Sequence, residues 1–462
     1  MSGFEARSRA ALADPHKRAN VPRFAEKAAD NRARGFEGVD LEALRTAGEA
    51  ARSRAIADLP ALLDSLQEKL EAAGAVVHRA PTGADAARYV TEVVLHHGRM
   101  AVKSKSMASE EIGLNEHLEA AGVEVVETDL GEFIVQTAGE APEHIIIPAI
   151  HKTTGQVREL FEPLAGRSIG NDPAELTRFA RAHLRSRFLE APVGITGVNF
   201  GVAETGTIVL VTNEGNGRMC SGLPRVHVAI MGMERVVADL ADLGVLLPLL
   251  TRSGTGQKIT SYVTMLNGPR RGDEADGPEE MHVVILDNGR SRVRETPYRS
   301  VLHCIRCGAC QNVCPVYRQV GGTAYGWVYG GPIGAVLTPL LHGDQELGHA
   351  SSLCAACDDV CPVRIPLHEL LLGLRRDRAV ESAGGLERLA FRLWSFAWSR
   401  PRLFRLTVRM AGLARGPLPL LRRFTRTRER PLSRITTCIS SGPSPSSPRR
   451  GPFRSVTYEV IF

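Results

Sequence analysis

Cys304, Cys307, Cys310 and Cys314 lie two, two and three residues apart, and Pro315 follows the last of them. Spacers this short let three thiolates converge from one tight loop. The fourth leaves that loop and points toward a neighbouring site, where its proline fixes φ, removes an amide donor and turns the chain away. This is the bacterial ferredoxin spacing for iron–sulfur clusters. A second run, Cys354, Cys357 and Cys361 followed by Pro362, repeats the pattern with one ligand missing. Zinc also uses paired C-x2-C units, but zinc ribbons use two separated pairs with four ligands in all. Two unequal runs of four and three point to electron transfer.

Aligned on their Cys-Pro ends, the runs place Ser351 where a cysteine should stand. Crossed ligation predicts one 4Fe–4S cluster on Cys304, Cys307, Cys310 and Cys361. The other site has only Cys314, Cys354 and Cys357, so it holds a 3Fe–4S cluster or a 4Fe–4S cluster with one non-cysteine ligand. Potentials of such clusters run from about −700 to +450 mV, so the cysteine count does not set the redox value.

At 462 residues the chain has room for two or three domains. Seven of its nine cysteines belong to the runs, leaving Cys220 and Cys438 single. That usage fits a reducing, cytoplasmic compartment. Residues 1–31 are charged throughout without an apolar signal-peptide core. No stretch reaches the roughly 18 apolar residues of a membrane span. The net charge of +6 owes much to an arginine-rich C-terminal end, and a basic face can meet acidic protein or lipid as readily as nucleic acid. No nucleic-acid partner is expected.

The pattern divides into a helical segment over 1–60, an α/β domain over 61–295, a ferredoxin-type domain over 296–375, a basic amphipathic helical segment over 376–430 and a disordered tail over 431–462. Leu59, Leu62, Leu63, Leu66 and Leu70 have helical spacing. Strands are expected at Val76–His78, Met100–Lys103, Val123–Glu127, Phe133–Gln136, Ile145–Ile147, Thr207–Thr212 and Val226–Met231, with Val283–Leu286 closing the sheet. Helices are expected over Ala84–His96, after a cap at Ser109 with Glu110 and Glu111 in the first turn, and from Asp172-Pro173-Ala174-Glu175. Strand–helix alternation over two hundred residues predicts an α/β fold with a largely parallel or mixed sheet. The glycine-dense stretch Gly321–Pro332 should pack closely against something, with the cluster sulfurs as the candidate, and Ile333–Leu341 reads as a short helix. Leu386, Leu389, Ala390, Leu393 and Ala397 form an apolar stripe with Trp394 and Trp398 beside it. Such a stripe ordinarily packs on the rest of its own chain; docking to a partner subunit or a membrane surface is the sharper alternative. Beyond Pro431, Ser, Pro and Arg dominate and no period survives.

Two further motifs flank strands. Ala203–Thr207 and Thr212–Arg218 put acidic, glycine-rich loops at both ends of a buried strand, where open α/β sheets bind ligands. Lys103-Ser104-Lys105-Ser106 precedes a helix start. By motif specificity alone, both read as ordinary turn chemistry. His96, His97, His144, His151, His227 and His282 lack metal-ligand spacing. No dinucleotide fingerprint, phosphate-binding loop or nucleophile elbow occurs, and no residue takes a catalytic role from the sequence.

The blocks KSKSMASEEI (Lys103–Ile112), VVETDLG (Val125–Gly131), PAIHKT (Pro148–Thr153), AETGTIVLVTNEGNGR (Ala203–Arg218), DNGR (Asp287–Arg290) and CIRCGACQNVCPVYR (Cys304–Arg318) together resemble the lactate utilization protein B family. The resemblance runs roughly from Phe24 to Arg430. It implies an iron–sulfur subunit of a three-protein bacterial system that oxidises L-lactate to pyruvate, with the other subunits as partners. It also implies an α/β domain similar to sugar-phosphate isomerases and CoA transferases. The family's seven cluster ligands fall on Cys304, Cys307, Cys310, Cys314, Cys354, Cys357 and Cys361, so Ser351 is no peculiarity of this chain. The end after Pro431 departs from the family. The alternatives are an electron conduit for another 2-hydroxy acid such as glycolate and, in a different class, a redox-sensing or nucleic-acid-binding regulator.

Overall fold

The computed structural model describes residues 3–382 and 384–413. The side chain of Leu386 and everything from residue 414 onward, including Cys438 and the stretch after Pro431, lie outside the described residues. The chain forms a compact unit that ends at Glu381 and a second one beginning at Ser382.

In the first unit a six-stranded, wholly parallel sheet carries the α/β domain. Its strands are β1 (Val76–Ala80), β2 (Met100–Lys103), β3 (Glu124–Glu127), β4 (Val193–Gly197), β7 (Val226–Gly232) and β10 (Glu280–Leu286), in spatial order β1-β10-β7-β4-β2-β3. A smaller sheet orders β8 (Val236–Val237), β5 (Phe200–Val202), β6 (Thr207–Thr212) and β9 (Tyr262–Leu266). Parallel strands are buried on both faces, and β7 is buried along its whole length. Val226, Val228 and Ile230 face the helix Gly83–His97 through Val90 and Val94. Ala229 and Met231 face the leucines of the helix Leu59–Ala72. β10 does not close the sheet: it lies between β1 and β7, pairing Val76 with His282 on one side and Val226 with Glu280 on the other.

Three local expectations are corrected. Phe133–Gln136 is helical, because the Asp129 carboxylate accepts from the amides of Gly131 and Glu132 and caps the helix Leu130–Ala138. Ile145–Ile147 is a turn, because His144 Nδ1 accepts from the amides of Ile146 (3.0 Å) and Ile147 (3.3 Å) and curls the chain. The helix cap is Ser106, not Ser109: the Ser106 hydroxyl accepts the Ser109 amide, and Met107–Glu111 is helical.

The ferredoxin-type part is all helical, with short helices Ala309–Val313, Pro315–Val320, Gly331–Leu341 and Ala356–Val360. It shares one core with the N-terminal helices, where Val21, Phe36, Ala51 and Ile56 pack with Tyr317, Leu371 and the cluster-loop residues. Residues 3–57 therefore serve as a wall of the cysteine domain. The glycine-dense stretch is packed as expected, but against Glu143: a Cβ on Gly321 would fall 1.6 Å from Glu143 Oε1, and one on Gly322 would fall 2.2 Å from the Glu143 carbonyl oxygen.

Arg52 is the strongest tie in this wall. It is buried, and its guanidinium donates to the carbonyls of Val236 (2.8 Å), Leu302 (3.1 Å), His303 (3.2 Å) and Glu234. Burial, with Arg235 nearby, pulls its pKa down to about 10, which keeps it charged at neutral pH. Arg52→Ala should cost about 3 kcal/mol, because four carbonyls lose their donor in a dry site. The check is the Tm of the anaerobically purified protein; an unchanged Tm would show that water takes over the four bonds.

In the second unit the helices Gly385–Trp398 and Pro401–Leu413 pack through Trp398 and Phe404, ring centroids 5.2 Å apart. Leu389, Leu393 and Trp394 of the apolar stripe are exposed. No helix among the described residues is long and apolar enough to cross a membrane.

Candidate iron–sulfur centres and an adjoining cavity

The two cysteine loops share one backbone design. In the first, Arg306 (φ 60°) and Gly308 (φ 74°) are left-handed; in the second, Leu353 (φ 55°) and Ala355 (φ 60°) take the same positions. Left-handed residues at these points curl each loop so that its thiols face inward, at a steric cost that Ala355 bears and Gly308 does not. The hydrogen bonds repeat as well. The Gln311 amide donates to the Gly308 carbonyl (3.0 Å), as Asp358 does to Ala355 (2.9 Å). The Arg306 amide donates to Cys304 Sγ (3.4 Å), and the Leu353 amide donates to Ser351 Oγ (3.1 Å). Ser351 thus occupies the position equivalent to Cys304.

The seven sulfurs fall into two neighbourhoods. Cys307 interacts electrostatically with Cys304 and Cys361, and Cys310 with Cys304, Cys307 and Cys361. Cys357 interacts with Cys314 and Cys354. Cys310 also faces Cys357, which joins the two groups. Burial, reinforced by neighbouring sulfurs, pushes the Cys307 thiol up to about 12 and those of Cys314 and Cys361 to about 11, with Cys310 and Cys357 raised too. Buried thiols that repel one another on ionising are suited to a polynuclear cation, which needs thiolates and offsets their charge. This donor set fits iron–sulfur clusters. Among the described residues, no three of the Cys, His, Asp and Glu side chains converge on a point that a single ion would fill. Cys220 stands apart, buried against Thr128.

Arginines hold the outer backbone of these loops. Arg45 donates to the carbonyls of Cys361 (3.0 Å) and Asp358 (3.1 Å), Arg32 to Val360 (3.1 Å), and Arg235 to Cys304 (2.9 Å) and Ile305 (3.3 Å). Cations this close favour added electrons on whatever the thiols hold.

An ion-pair chain joins the first loop to the α/β domain. Arg290 grips Glu111 bidentately (2.8 and 2.6 Å) and Glu234 at 2.6 Å; Glu234 in turn takes Arg306 at 3.1 Å. The Tyr329 hydroxyl donates to Glu111 (2.6 Å), and the Arg306 guanidinium lies 4.3 Å from the Tyr329 ring centre. Burial opposes ionisation of Glu111 and Glu234, but their arginines outweigh it and hold both carboxyls below the usual range, Glu234 at about 2. Glu111 therefore serves this junction rather than a helix dipole. The sequence had shown Glu111 as a first-turn acid and, with Arg290, as part of the SEEI and DNGR blocks; the sign that was missed is an arginine set between two cysteines of the first run.

Above the carboxyl ends of β2, β4 and β7 lies a cavity of about 430 Å³. Its wall includes Lys105 from the KSKS block, Glu214 and Asn216 from the NEGN loop, Asp129, and Arg306 from the first cysteine loop. Two motifs that separately read as turns thus meet in one place. Lys105 pairs with Glu132 at 3.0 Å. The scattered histidines are packed rather than gathered: His144 Nε2 donates to Asn312 (3.1 Å), and His227 bonds Thr196 (2.8 Å).

Two family models match the chain, a LUD domain over residues 63–286 and a 4Fe-4S dicluster domain over residues 300–365. Lactate utilization protein B of Shouchella clausii is 49% identical over 396 residues, covering 82% of this chain and 83% of its own. That of Bacillus licheniformis is 50% identical over 384 residues (81% and 80%), and that of Bacillus cytotoxicus 47% over 415 residues (88% and 87%). A crystal structure of a DUF162 family protein from Deinococcus radiodurans matches 49% of this chain and 98% of its own at 14% identity. Its TM-score of 0.29 is too low to bear on the fold.

Proposed function

We propose, on the premise that this chain belongs to the lactate utilization protein B family, that it is the electron-transfer subunit of a bacterial system oxidising L-lactate to pyruvate. The observation that carries the proposal is the pair of matching cysteine loops, with seven cysteines in two adjoining groups, all but the exposed Cys354 buried or half-buried. Cys304, Cys307, Cys310 and Cys361 would hold a 4Fe–4S cluster. Cys314, Cys354 and Cys357 would hold the second, 4Fe–4S or 3Fe–4S. Iron–sulfur clusters supply one-electron transfer, and two of them in one domain match the two electrons released per lactate. The chain's own residues give the rest: the arginines on the loop carbonyls bias the site toward accepting electrons, and Cys310, beside Cys357, bridges the two groups. Breaking the lactate C–H bond calls for a partner subunit with a centre of its own, such as a flavin.

A deletion strain lacking other lactate dehydrogenases should lose growth on L-lactate and keep growth on glycolate. The reverse result would assign the conduit to another 2-hydroxy acid. The exposed stripe on the helix Gly385–Trp398, with Arg388, Arg392 and Arg400 nearby, suits an anionic membrane surface where electrons could leave. Sedimentation with phosphatidylglycerol vesicles should carry the protein down at low salt; recovery in the supernatant would remove the membrane from this scheme.

A further inference from the structure

We propose that the 430 Å³ cavity is a binding site on this chain for a short organic acid, whose carboxylate Arg306 holds and whose hydroxyl or oxo group faces Asp129 and Glu214. The function proposed above leaves this cavity without a role. It opens at the carboxyl ends of parallel strands, where open α/β sheets place ligands. The telling residue is Arg306. Its side chain is only 9% exposed; Nη2 is spent on Glu234, whereas Nη1 is buried and has no acceptor among the described residues. A buried guanidinium N–H without a partner is costly, and a planar carboxylate is its natural complement.

The other cations around the cavity are already committed. Arg290 is taken by Glu111 and Glu234, Lys105 by Glu132, and Arg235 by the carbonyls of Cys304 and Ile305. Of the cations on the wall, Arg306 alone has a buried nitrogen with no acceptor among the described residues. A second wall carries Asp129 and Glu214. Burial, together with Asp129, pushes the Glu214 carboxyl up to about 7, and burial likewise raises Asp129. Two carboxyls that resist joint ionisation can share a proton and both accept from a hydroxyl and donate to a carbonyl. Ile145, Ile146 and Val211 supply an apolar lining between these groups. An acid group at one wall, an oxygen function at another and a hydrocarbon surface between them describe a 2-hydroxy or 2-oxo acid. That choice of class rests on the function proposed above, whereas the anion site does not. A volume of 430 Å³ exceeds what a three-carbon acid fills, so longer acids such as 4-methyl-2-hydroxypentanoate should enter as well. Because Arg306 stands between Cys304 and Cys307, a ligand it holds would lie beside the first cysteine loop.

The test is calorimetric titration of the full-length, cluster-loaded protein with L-lactate, pyruvate and 4-methyl-2-hydroxypentanoate, with iron measured on every sample. Wild type should bind at least one of them. Arg306→Gln should weaken binding roughly tenfold to a hundredfold at unchanged iron content, the loss expected of a charge-assisted pair. Val211→Trp, which fills the cavity from β6, outside both cysteine runs in sequence, should weaken it as much and decides the matter if Arg306→Gln loses iron. No binding by iron-replete wild type, or wild-type affinity in Val211→Trp, would overturn the site. If binding persists while the deletion strain still grows on L-lactate, the anion site stands and the electron-transfer role falls.

Discussion

Cys307→Ala should abolish growth on L-lactate, in a strain without other lactate dehydrogenases, while leaving growth on glucose intact. Cys307 is buried beside Cys304 and Cys361, with its thiol pushed up to about 12 by burial. No other described thiol is free to replace it: Cys220, the remaining single, is buried against Thr128 in the α/β domain. Anaerobically purified wild type should contain about seven to eight iron atoms with matching acid-labile sulfide, and the variant should lose about half of both. Normal growth of the variant on lactate would remove the assigned role, and stoichiometric zinc without sulfide in wild type would remove the clusters altogether.

The second large effect is expected at Ser351. Its hydroxyl accepts the Leu353 amide just as the Cys304 sulfur accepts that of Arg306, and the left-handed residues around it repeat the first loop. A cluster on Cys314, Cys354 and Cys357 would have one iron without a thiolate, and that iron is the one most easily lost. Mild air exposure of wild type should therefore produce the electron paramagnetic resonance signal of an oxidised 3Fe–4S centre. Ser351→Cys should suppress that signal and give a second 4Fe–4S signal after reduction. A variant signal as large as that of wild type would mean that position 351, despite its matching hydrogen bond, does not face the cluster.

Much of this is legible in the sequence. The cysteine spacing carries its own geometry, because a two-residue spacer permits few loop shapes, and Ser351 announced itself by register alone. The buried strands were readable where β-branched residues were dense or recurred at every second position, as in Thr207–Thr212 and Val226–Met231. Two apolar runs misled. Phe133–Gln136 looks like a strand, but Asp129 supplies a cap four residues earlier. Ile145–Ile147 has strand composition, and a single imidazole captures two of its amides. The cavity was hidden for a different reason: Lys105, Asp129, Glu214 and Arg306 come from four separate segments, and no local pattern links them. Arg306 was the nearest thing to a signal, a long cation set between Cys304 and Cys307.

The N-terminal wall has a consequence for how the molecule is made. Arg52 finds the Leu302 carbonyl 250 positions later, and Arg32 finds that of Val360 328 positions later. The central sheet waits as well, because β1 has no neighbour until β10 is translated. Chains emerge from the ribosome N-terminus first, and contacts this distant in sequence are slow to close. The growing polypeptide must therefore carry its first helices, with Val21, Phe36 and Ile56 uncovered, through most of its synthesis. Such a nascent chain is a natural client for chaperones, and a messenger truncated ahead of the second cysteine run would yield a product whose sheet could close while the core shared by the N-terminal helices and the cysteine loops could not.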